Sequence, residues 1–196
     1  MRPGRVALLA GVLTALAPAA RAHEEYFLAT LTGPSEASPN ASPGIGTALV
    51  TLDLDLITMR VEVQFSGLLG NTTAANVHAA TAAAGTGTAD IATAPPSLTG
   101  FPLGFAVGSY DQTFDLTVAE SYNPAFIAAN NGTVSGGLNA MIFALEQNKA
   151  YFNISTTAFP GGEVRGFFTQ IPEPGTLALA ALGGMGLLIR RRRISR

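Results

Sequence analysis

The sequence predicts an all-β domain, an antiparallel β-sandwich or barrel that carries two short helices. Two observations indicate this fold class. Apolar and polar residues alternate with a period of two along several segments, as they do in strands that bury one face. Turn-forming residues separate about seven such short segments, which is typical of antiparallel sandwiches and barrels.

The first strand is predicted at residues 26–31, before a loop rich in Ser, Pro and Asn at 35–44. The clearest alternation follows between residues 47 and 65, where a tight connection near Ile57 joins two antiparallel strands. These strands are expected to form the core with their apolar face. That face contains Ala48, Val50, Leu52, Leu54, Leu56, Met59, Val61, Val63 and Phe65.

The later elements are shorter. Between them, residues 81–104 are rich in Ala, Thr, Gly and Pro, so we expect a long exposed loop there. The remaining strands are predicted at residues 76–80, 113–118, 150–155 and 163–170.

Two short helices interrupt the β pattern. Asn123 and Pro124 supply an N-cap and a first helical residue before the segment 125–130. A second helix is expected because four apolar residues fall on one helical face. These residues are Leu138, Met141, Ile142 and Leu145.

The N-terminus has the three regions of a secretory signal peptide. Arginines lie within the first five residues, an apolar stretch spans residues 6–16, and Ala20-Arg21-Ala22 offers a small-residue cleavage site. A membrane helix is the alternative interpretation, but the apolar stretch is short for a span. We therefore expect residues 1–22 to be a signal peptide and residues 23–170 to form the folded domain.

The predicted domain is strongly acidic. Residues 23–170 contain twelve acidic residues and three basic ones, a net charge of −9. This excess argues against nucleic acid as a partner, because its binding needs clustered Lys and Arg. It favours solubility outside the cell and contact with divalent cations or basic partners. The chain has no cysteine, so the domain must rely on its core rather than on disulfides.

Residues 171–196 form a distinct C-terminal segment, in which Pro172, Glu173 and Pro174 precede an uncharged run. This run spans residues 175–189, fifteen residues or roughly 22 Å as a helix, against a bilayer core of about 30 Å. Local thinning of the bilayer would make up part of the difference, so we predict a transmembrane helix. Four arginines after it predict a cytoplasmic C-terminus. They are Arg190, Arg191, Arg192 and Arg193.

The order of proline motif, small-residue apolar helix and arginine cluster resembles the PEP-CTERM sorting signal. The resemblance implies a Gram-negative bacterium with an exosortase, a membrane peptidase that cleaves near the motif. The implied partners are this peptidase and, transiently, the inner membrane. Release would bring the body to the cell surface or the extracellular matrix, where exopolysaccharide or other surface proteins would be its partners. A permanent tail anchor is the alternative.

The body resembles the CHRD domain, a family first named for chordin. The stretch "FPGGEVRGFF" at residues 159–168, preceded by "AYFNISTT" at 150–157, is similar to the closing hairpin of that domain. The stretch "NTTAANVHAAT" at residues 71–81 is similar to its central histidine-containing strand. Residues 108–134 also resemble bacterial members with a PEP-CTERM tail. The resemblance implies an immunoglobulin-like β-sandwich or barrel, weakly similar to copper/zinc superoxide dismutases, and no particular molecular function.

That similarity raises the alternative of a secreted copper- or zinc-binding protein with redox activity. Family members often carry His-x-His and Asn-x-His-Thr, whereas this chain has His78 alone in the first position and Ser155 in the second. After signal cleavage, His23 and His78 could form a copper brace, with Tyr110 or Tyr151 near the axial position. A hydrogen-bonded strand histidine is the structural alternative, because such sites usually need three protein ligands. We predict no bound cofactor and keep His78 and His23 only as metal candidates.

The predicted turn before the last strand has a structural interpretation. Gly161 and Gly162 permit positive φ, and Glu163 and Arg165 share one strand face, where they can pair with each other or with a neighbour. A ligand-binding arginine is the alternative.

No catalytic constellation stands out. The chain has two histidines and no Gly-x-Ser-x-Gly motif, so a serine nucleophile with a neighbouring base has little support. Asp53 and Asp55 share a predicted strand face, but the sequence around them lacks the loop with which EF-hands bind calcium. We therefore predict a protein without enzymatic activity.

Overall fold

A computed structural model describes residues 23–172 of the chain. The predicted signal peptide and the predicted C-terminal membrane helix lie outside these residues. The strands are β1 Glu24–Thr32, β2 Ile45–Asp53, β3 Thr58–Ser66, β4 Thr72–His78, β5 Gly108–Asp115, β6 Tyr151–Thr156, β7 Val164–Phe167 and β8 Thr169–Ile171. The helices are α1 Pro124–Ala129 and α2 Val134–Glu146, with single 3-10 turns at Gly33–Ser35 and Ala119–Ser121.

The strands form one antiparallel sheet in the order β4-β6-β7-β1-β2-β3-β5, and β8 pairs with β1. The sheet curls into a half-barrel, so its apolar residues face a common interior. The predicted all-β class, with antiparallel pairing and two short helices, is confirmed.

The predicted hairpin forms the centre of the core. Ala48, Val50 and Leu52 of β2 stand opposite Val63, Val61 and Met59 of β3, and all six are at most 1% exposed. The predicted first strand of this hairpin is too long, because it includes Leu54 and Leu56, whereas β2 ends at Asp53 and the chain turns there. Leu56 therefore lies in the turn with its side chain 69% exposed.

Both helices begin where the sequence offers caps. The Asn123 side chain accepts a hydrogen bond from the Ala125 amide at 3.0 Å, and Thr133 accepts one from the Gly136 amide at 3.0 Å. The second helix thus starts before the predicted apolar face and buries Met141 and other residues against the sheet. No helix between residues 23 and 172 is long and apolar enough to cross a membrane.

The long segment between β4 and β5 differs from the prediction. Residues 82–88 are exposed as expected, but Ala92, Thr93, Leu98 and Phe101 are buried. The backbone amide of Leu98 donates to the Ala75 carbonyl at 2.9 Å, along the edge of β4 that no strand covers. Unpaired backbone groups at a sheet edge need such partners, so the prediction of a fully exposed loop is wrong for this half.

The described chain begins and ends at the same end of the half-barrel. Tyr26, near the start of β1, is the register partner of Ile171, the last residue of β8. His23 and Pro172 therefore line one shallow depression. We call this the tail end, because the predicted sorting segment follows Pro172 directly.

Candidate functional site

The candidate site is a group of polar and aromatic side chains on the outer face of β4, β6 and β7. His78 stands opposite Tyr151, Tyr151 opposite Phe167, and Asn153 opposite Arg165. The segment after β4 and the 3-10 turn at Gly33–Ser35 cover this face, so its polar groups are buried rather than solvated. We call the group the polar cluster; it comprises Glu36, His78, Tyr151, Asn153, Glu163, Arg165 and Phe167.

Arg165 joins two loops to the sheet. Its Nε donates to the Ser35 carbonyl at 2.9 Å, and its Nη1 donates to the Gly87 carbonyl at 3.1 Å. The guanidinium carbon lies 4.7 Å from the centroid of the Tyr151 ring and 5.4 Å from that of Phe167. Contact with two aromatic rings stabilises a buried cation through the negative faces of the rings. Arg165 is 5% exposed, and these contacts replace its hydration.

Glu36 is the acidic neighbour of Arg165. Its Oε2 lies 3.9 Å from Arg165 Nε, a long distance for an ion pair. Burial raises the pKa of Glu36 to about 7, and the nearby guanidinium and the Ala37 amide offset only part of that effect. Arg165 gives Glu36 little compensation for burial, because its Nε and Nη1 donate to the Ser35 and Gly87 carbonyls instead. Glu36 is therefore largely protonated in mildly acidic surroundings.

Two buried acceptor oxygens beside Gly162 lack hydrogen-bond donors. Within the described residues, neither Glu36 Oε1 nor Asn153 Oδ1 has a hydrogen-bond partner. Each lies 2.6 Å from the position that a Cβ on Gly162 would occupy. A protonated Glu36 carries an O–H that can act as a donor, which the ionised carboxylate cannot.

Glu163 has the opposite environment. It is fully buried just before β7, and its carboxylate accepts four hydrogen bonds: from the Ser42 and Thr156 hydroxyls at 2.6 Å each, from the Leu69 amide at 2.5 Å and from the Gly70 amide at 3.1 Å. Burial alone would raise the pKa of Glu163, but these donors together hold it below its ordinary value. The ionised carboxylate thereby connects three loops to the sheet.

The predicted turn residues lie where the sequence analysis places them. Gly162 has φ of 134°, the conformation that favours glycine, whereas Gly161 is not among the positive-φ residues of the described chain. Glu163 and Arg165 were predicted to pair with each other or with a neighbour, and the acidic group nearest to Arg165 is Glu36. Glu163 takes neutral donors instead.

His78 is held inside the cluster. Its ring stacks on Tyr151 with centroids 4.7 Å apart, and its Nδ1 lies 2.9 Å from the Ala89 carbonyl oxygen. Burial lowers the pKa of His78, with the Ala89 hydrogen bond opposing this effect. The ring is therefore neutral, with Nδ1 as the donor to Ala89.

The structure does not bring the metal candidates together. His78 lies level with Tyr151 and Phe167 across β4, β6 and β7. This level is close to the C-terminal end of β1, where Thr32 pairs with Arg165. His23 lies at the opposite end, just before β1 begins. Strand geometry separates these levels by on the order of 20 Å. No group of three or more His, Cys, Asp or Glu side chains between residues 23 and 172 could hold a metal ion.

Asp53 and Asp55 act in the turn after β2 and do not share a strand face. The Asp53 carboxylate accepts hydrogen bonds from the backbone amides of Asp55 and Leu56 at 2.9 and 2.8 Å. The Asp55 carboxylate accepts from the backbone nitrogen of His23 at 3.1 Å. The prediction of two carboxylates on one strand face is wrong because the strand ends first.

A groove of about 610 Å³ opens between the segment after β4 and the helices. Its walls are mainly alanine, with Thr88, Asp90, Phe126 and Asn130 among the larger residues. The polar side chains in these walls are the Thr88 hydroxyl, the Asp90 carboxylate and the Asn130 amide.

Sequence reasoning missed Glu36, Asn153 and the burial of Glu163. The one available signal is the scarcity of bases, since Arg165 is one of three between residues 23 and 170 and needs a counter-charge if buried. That signal does not select Glu36 among twelve acids.

The fold and the polar cluster define an all-β domain whose buried ionisable groups fasten loops to a curled sheet. The family model for the CHRD domain matches residues 27–168, and the model for the PEP-CTERM protein-sorting motif matches residues 170–193. The chain belongs to the CHRD domain family, and both resemblances are confirmed. No curated protein and no solved structure matches the chain.

The sorting motif fixes the route of the protein. It marks the chain for processing by an exosortase-type enzyme, with export, anchoring in the membrane during sorting, and then a cell-surface or extracellular location. Pro172 of the predicted motif is exposed at the tail end. The other predicted motif residues lie outside the described residues: Glu173, Pro174, Arg190, Arg191, Arg192 and Arg193.

Proposed function

We propose that this chain is a non-enzymatic surface or matrix protein whose acidic body, once released by an exosortase-type peptidase, meets exopolysaccharide, cations or other surface proteins. The observation that carries the proposal is the direct passage from the folded domain into the sorting motif. β8 ends at Ile171, and Pro172 follows with no linker between them. A cut near the motif would therefore release the body without removing any strand.

The polar cluster supports a role without catalysis. Glu163 is saturated with hydrogen bonds, Arg165 is enclosed by carbonyls and rings, and His78 is stacked and hydrogen-bonded. Catalytic groups need access to a substrate, and these three are committed to internal contacts. Their chemistry is used to hold loops.

The charge of the body supports contact with cations and with polymers that cations bridge. At a net charge of −9 over residues 23–170, the body repels an anionic polysaccharide unless cations lie between them. Basic segments of other surface proteins would meet the same field.

The proposal is tested by expressing the chain in a Gram-negative host with and without an exosortase-type peptidase. Intact mass is measured in the medium and in the membrane fraction. We expect a released species that begins near His23 and ends near Pro172 only when the peptidase is present. A variant with Glu173→Gln should remain in the membrane fraction, and Glu120→Gln, an exposed residue of the body, serves as the matched control.

Two results would overturn the proposal. Wild-type protein that keeps its arginines in the membrane, with the peptidase active on a known substrate, would establish a permanent anchor. Stoichiometric copper or zinc in the released protein, lost in His78→Ala, would instead favour the secreted metalloprotein.

A further inference from the structure

Among residues 23–172, none places an exposed charge at the end of the half-barrel opposite the tail end. Four segments build it: residues 33–44, 66–71, 99–108 and 157–162. Their only ionisable residue is Glu36, which is buried. We call these segments together the uncharged end.

The tail end has the reverse character. Glu24 is the register partner of Asp53, and Asp115 is the register partner of Thr58, so acidic residues from three strands meet there. Of the twelve acids in residues 23–170, seven lie at this end. They are Glu24, Glu25, Asp53, Asp55, Asp115, Glu120 and Glu146.

Large apolar side chains project from the uncharged end into solvent. Five of them are between 44% and 64% exposed: Ile45, Leu69, Leu103, Phe105 and Val107. Ile45 and Val107 line an open groove of about 560 Å³ together with Phe65. Exposed apolar surface that is concentrated at one end of a domain marks an interaction site in soluble proteins.

The backbone that presents these side chains is fixed by hydrogen bonds. The Leu69 amide donates to Glu163 Oε1 at 2.5 Å, and the Phe105 amide donates to Thr72 Oγ1 at 3.2 Å. The Leu68 amide donates to the Ala106 carbonyl at 3.3 Å, which ties the two segments to each other. A pre-organised apolar surface loses little conformational entropy when it binds.

The charge distribution favours a second copy of this chain as the partner of the uncharged end. Two copies that approach with their tail ends bring like charges together, whereas two uncharged ends meet without repulsion. End-to-end contact places the two acidic tail ends roughly 60 Å apart, taking about 30 Å for each nine-residue strand. That distance is several times the Debye length of about 8 Å at physiological ionic strength.

We infer that the uncharged end binds the uncharged end of a second copy of this chain in a symmetric dimer. Such a contact is isologous, so each apolar side chain is used twice. The two tail ends then point in opposite directions. Two copies anchored in one membrane cannot pair in this way, and released copies or copies in facing membranes can. This restriction on pairing rests on the proposed sorting; the contact itself does not.

The test is sedimentation velocity of the purified protein over a range of concentrations, at physiological salt. Protein that retains its tail is measured in nanodiscs with one chain per disc, and processed protein is measured free in solution. If the peptidase does not release the protein, pairing is still measured, with the tailed protein in nanodiscs instead of free in solution. We expect a monomer–dimer equilibrium in both formats.

The variant pair is Phe105→Ser with Val107→Ser, both at exposed side chains, and the matched control is Leu56→Ser at the tail end, which is 69% exposed. We expect the double variant to raise the dimer Kd by about a hundredfold, because each lost contact counts twice. The control should leave the Kd unchanged. Thermal unfolding of both variants verifies that the fold persists.

Three outcomes overturn the inference. Wild-type protein that is monomeric at all concentrations removes the contact. An equal loss of dimer in Leu56→Ser shows unspecific apolar association. Recruitment of empty nanodiscs by the wild-type protein, abolished in the double variant, identifies a lipid surface as the partner instead of a second copy.

Discussion

Glu36 Oε1 and Asn153 Oδ1 are directed at the same small space above Gly162, and a Cβ placed there would lie 2.6 Å from each oxygen. The turn before β7 can pass so close to both only because residue 162 has no side chain. Its φ of 134° also favours glycine. The closing turn and the polar cluster therefore depend on each other.

Replacing Gly162 should be costly. We expect Gly162→Ala to lower the free energy of unfolding by at least about 2 kcal/mol, because the methyl group meets two buried oxygens and the backbone is strained. Chemical denaturation monitored by circular dichroism measures the change. Gly161→Ala is the matched control, since a Cβ there meets nothing within 4 Å. Equal effects of the two substitutions would contradict the close contact.

The raised pKa of Glu36 predicts that the free energy of unfolding falls as pH rises. Its folded-state pKa of about 7 exceeds the ordinary 4.5, so the fold prefers the protonated form. The stabilisation is complete below pH 4.5 and is lost as pH rises towards and through about 7, by roughly 3 kcal/mol in total.

Urea unfolding at pH 5 and pH 8 measures this effect. Glu36→Gln should reduce the difference in unfolding free energy between the two pH values, because the side-chain amide does not titrate between them. A wild-type and a Glu36→Gln protein with the same pH dependence would show that Glu36 does not titrate as argued.

The lowered pKa of Glu163 predicts the opposite dependence, in which the free energy of unfolding falls as pH falls. Because its folded-state pKa is lowered, its contribution is present at neutral pH and is lost as pH falls through that lowered value. Glu163→Gln should cost about 3 kcal/mol at pH 7, since the new amide donors face hydroxyl and backbone donors. Glu62→Gln, at a partly exposed carboxylate beside Arg60, should change stability by less than about 0.5 kcal/mol. A harmless Glu163→Gln would disprove the role of its four hydrogen bonds.

Arg165 and Arg60 provide a matched pair of arginines. Arg165→Lys should lower stability by about 2 kcal/mol, because an ammonium cannot donate to both carbonyls and contact both aromatic rings at once. Arg60→Lys, in a solvent-exposed pair with Asp111, should leave stability nearly unchanged. Hydrogen exchange should accelerate at the amides of residues 85–89 in the Arg165 variant only. Unchanged protection there would show that Arg165 does not hold this loop.

The fold was predictable where one face of a strand is buried. The β2–β3 hairpin has strict alternation because Val50, Val61 and their neighbours face the core. β5 was predicted at residues 113–118, but it spans Gly108–Asp115. It pairs only with β3 and is mostly exposed on both faces, so its sequence carries little alternation.

The polar cluster was predictable only in part. Arg165 and the glycine turn were identifiable from residue type and spacing. Glu36 lies in a segment rich in Ser, Pro and Asn that normally indicates an exposed loop, and the register of β7 with β1 and β6 brings Arg165 to it. Contacts between residues more than a hundred positions apart leave no local pattern.

The position of the tail has a mechanical consequence. β8 runs antiparallel to β1, and its last residue, Ile171, leads straight into the sorting segment. Tension between the anchored tail and a partner at the far end would act along the strand axes and stretch the hydrogen bonds of β8 simultaneously. Shearing resists force better than peeling, so this attachment point suits a chain that is anchored in the membrane while it is sorted.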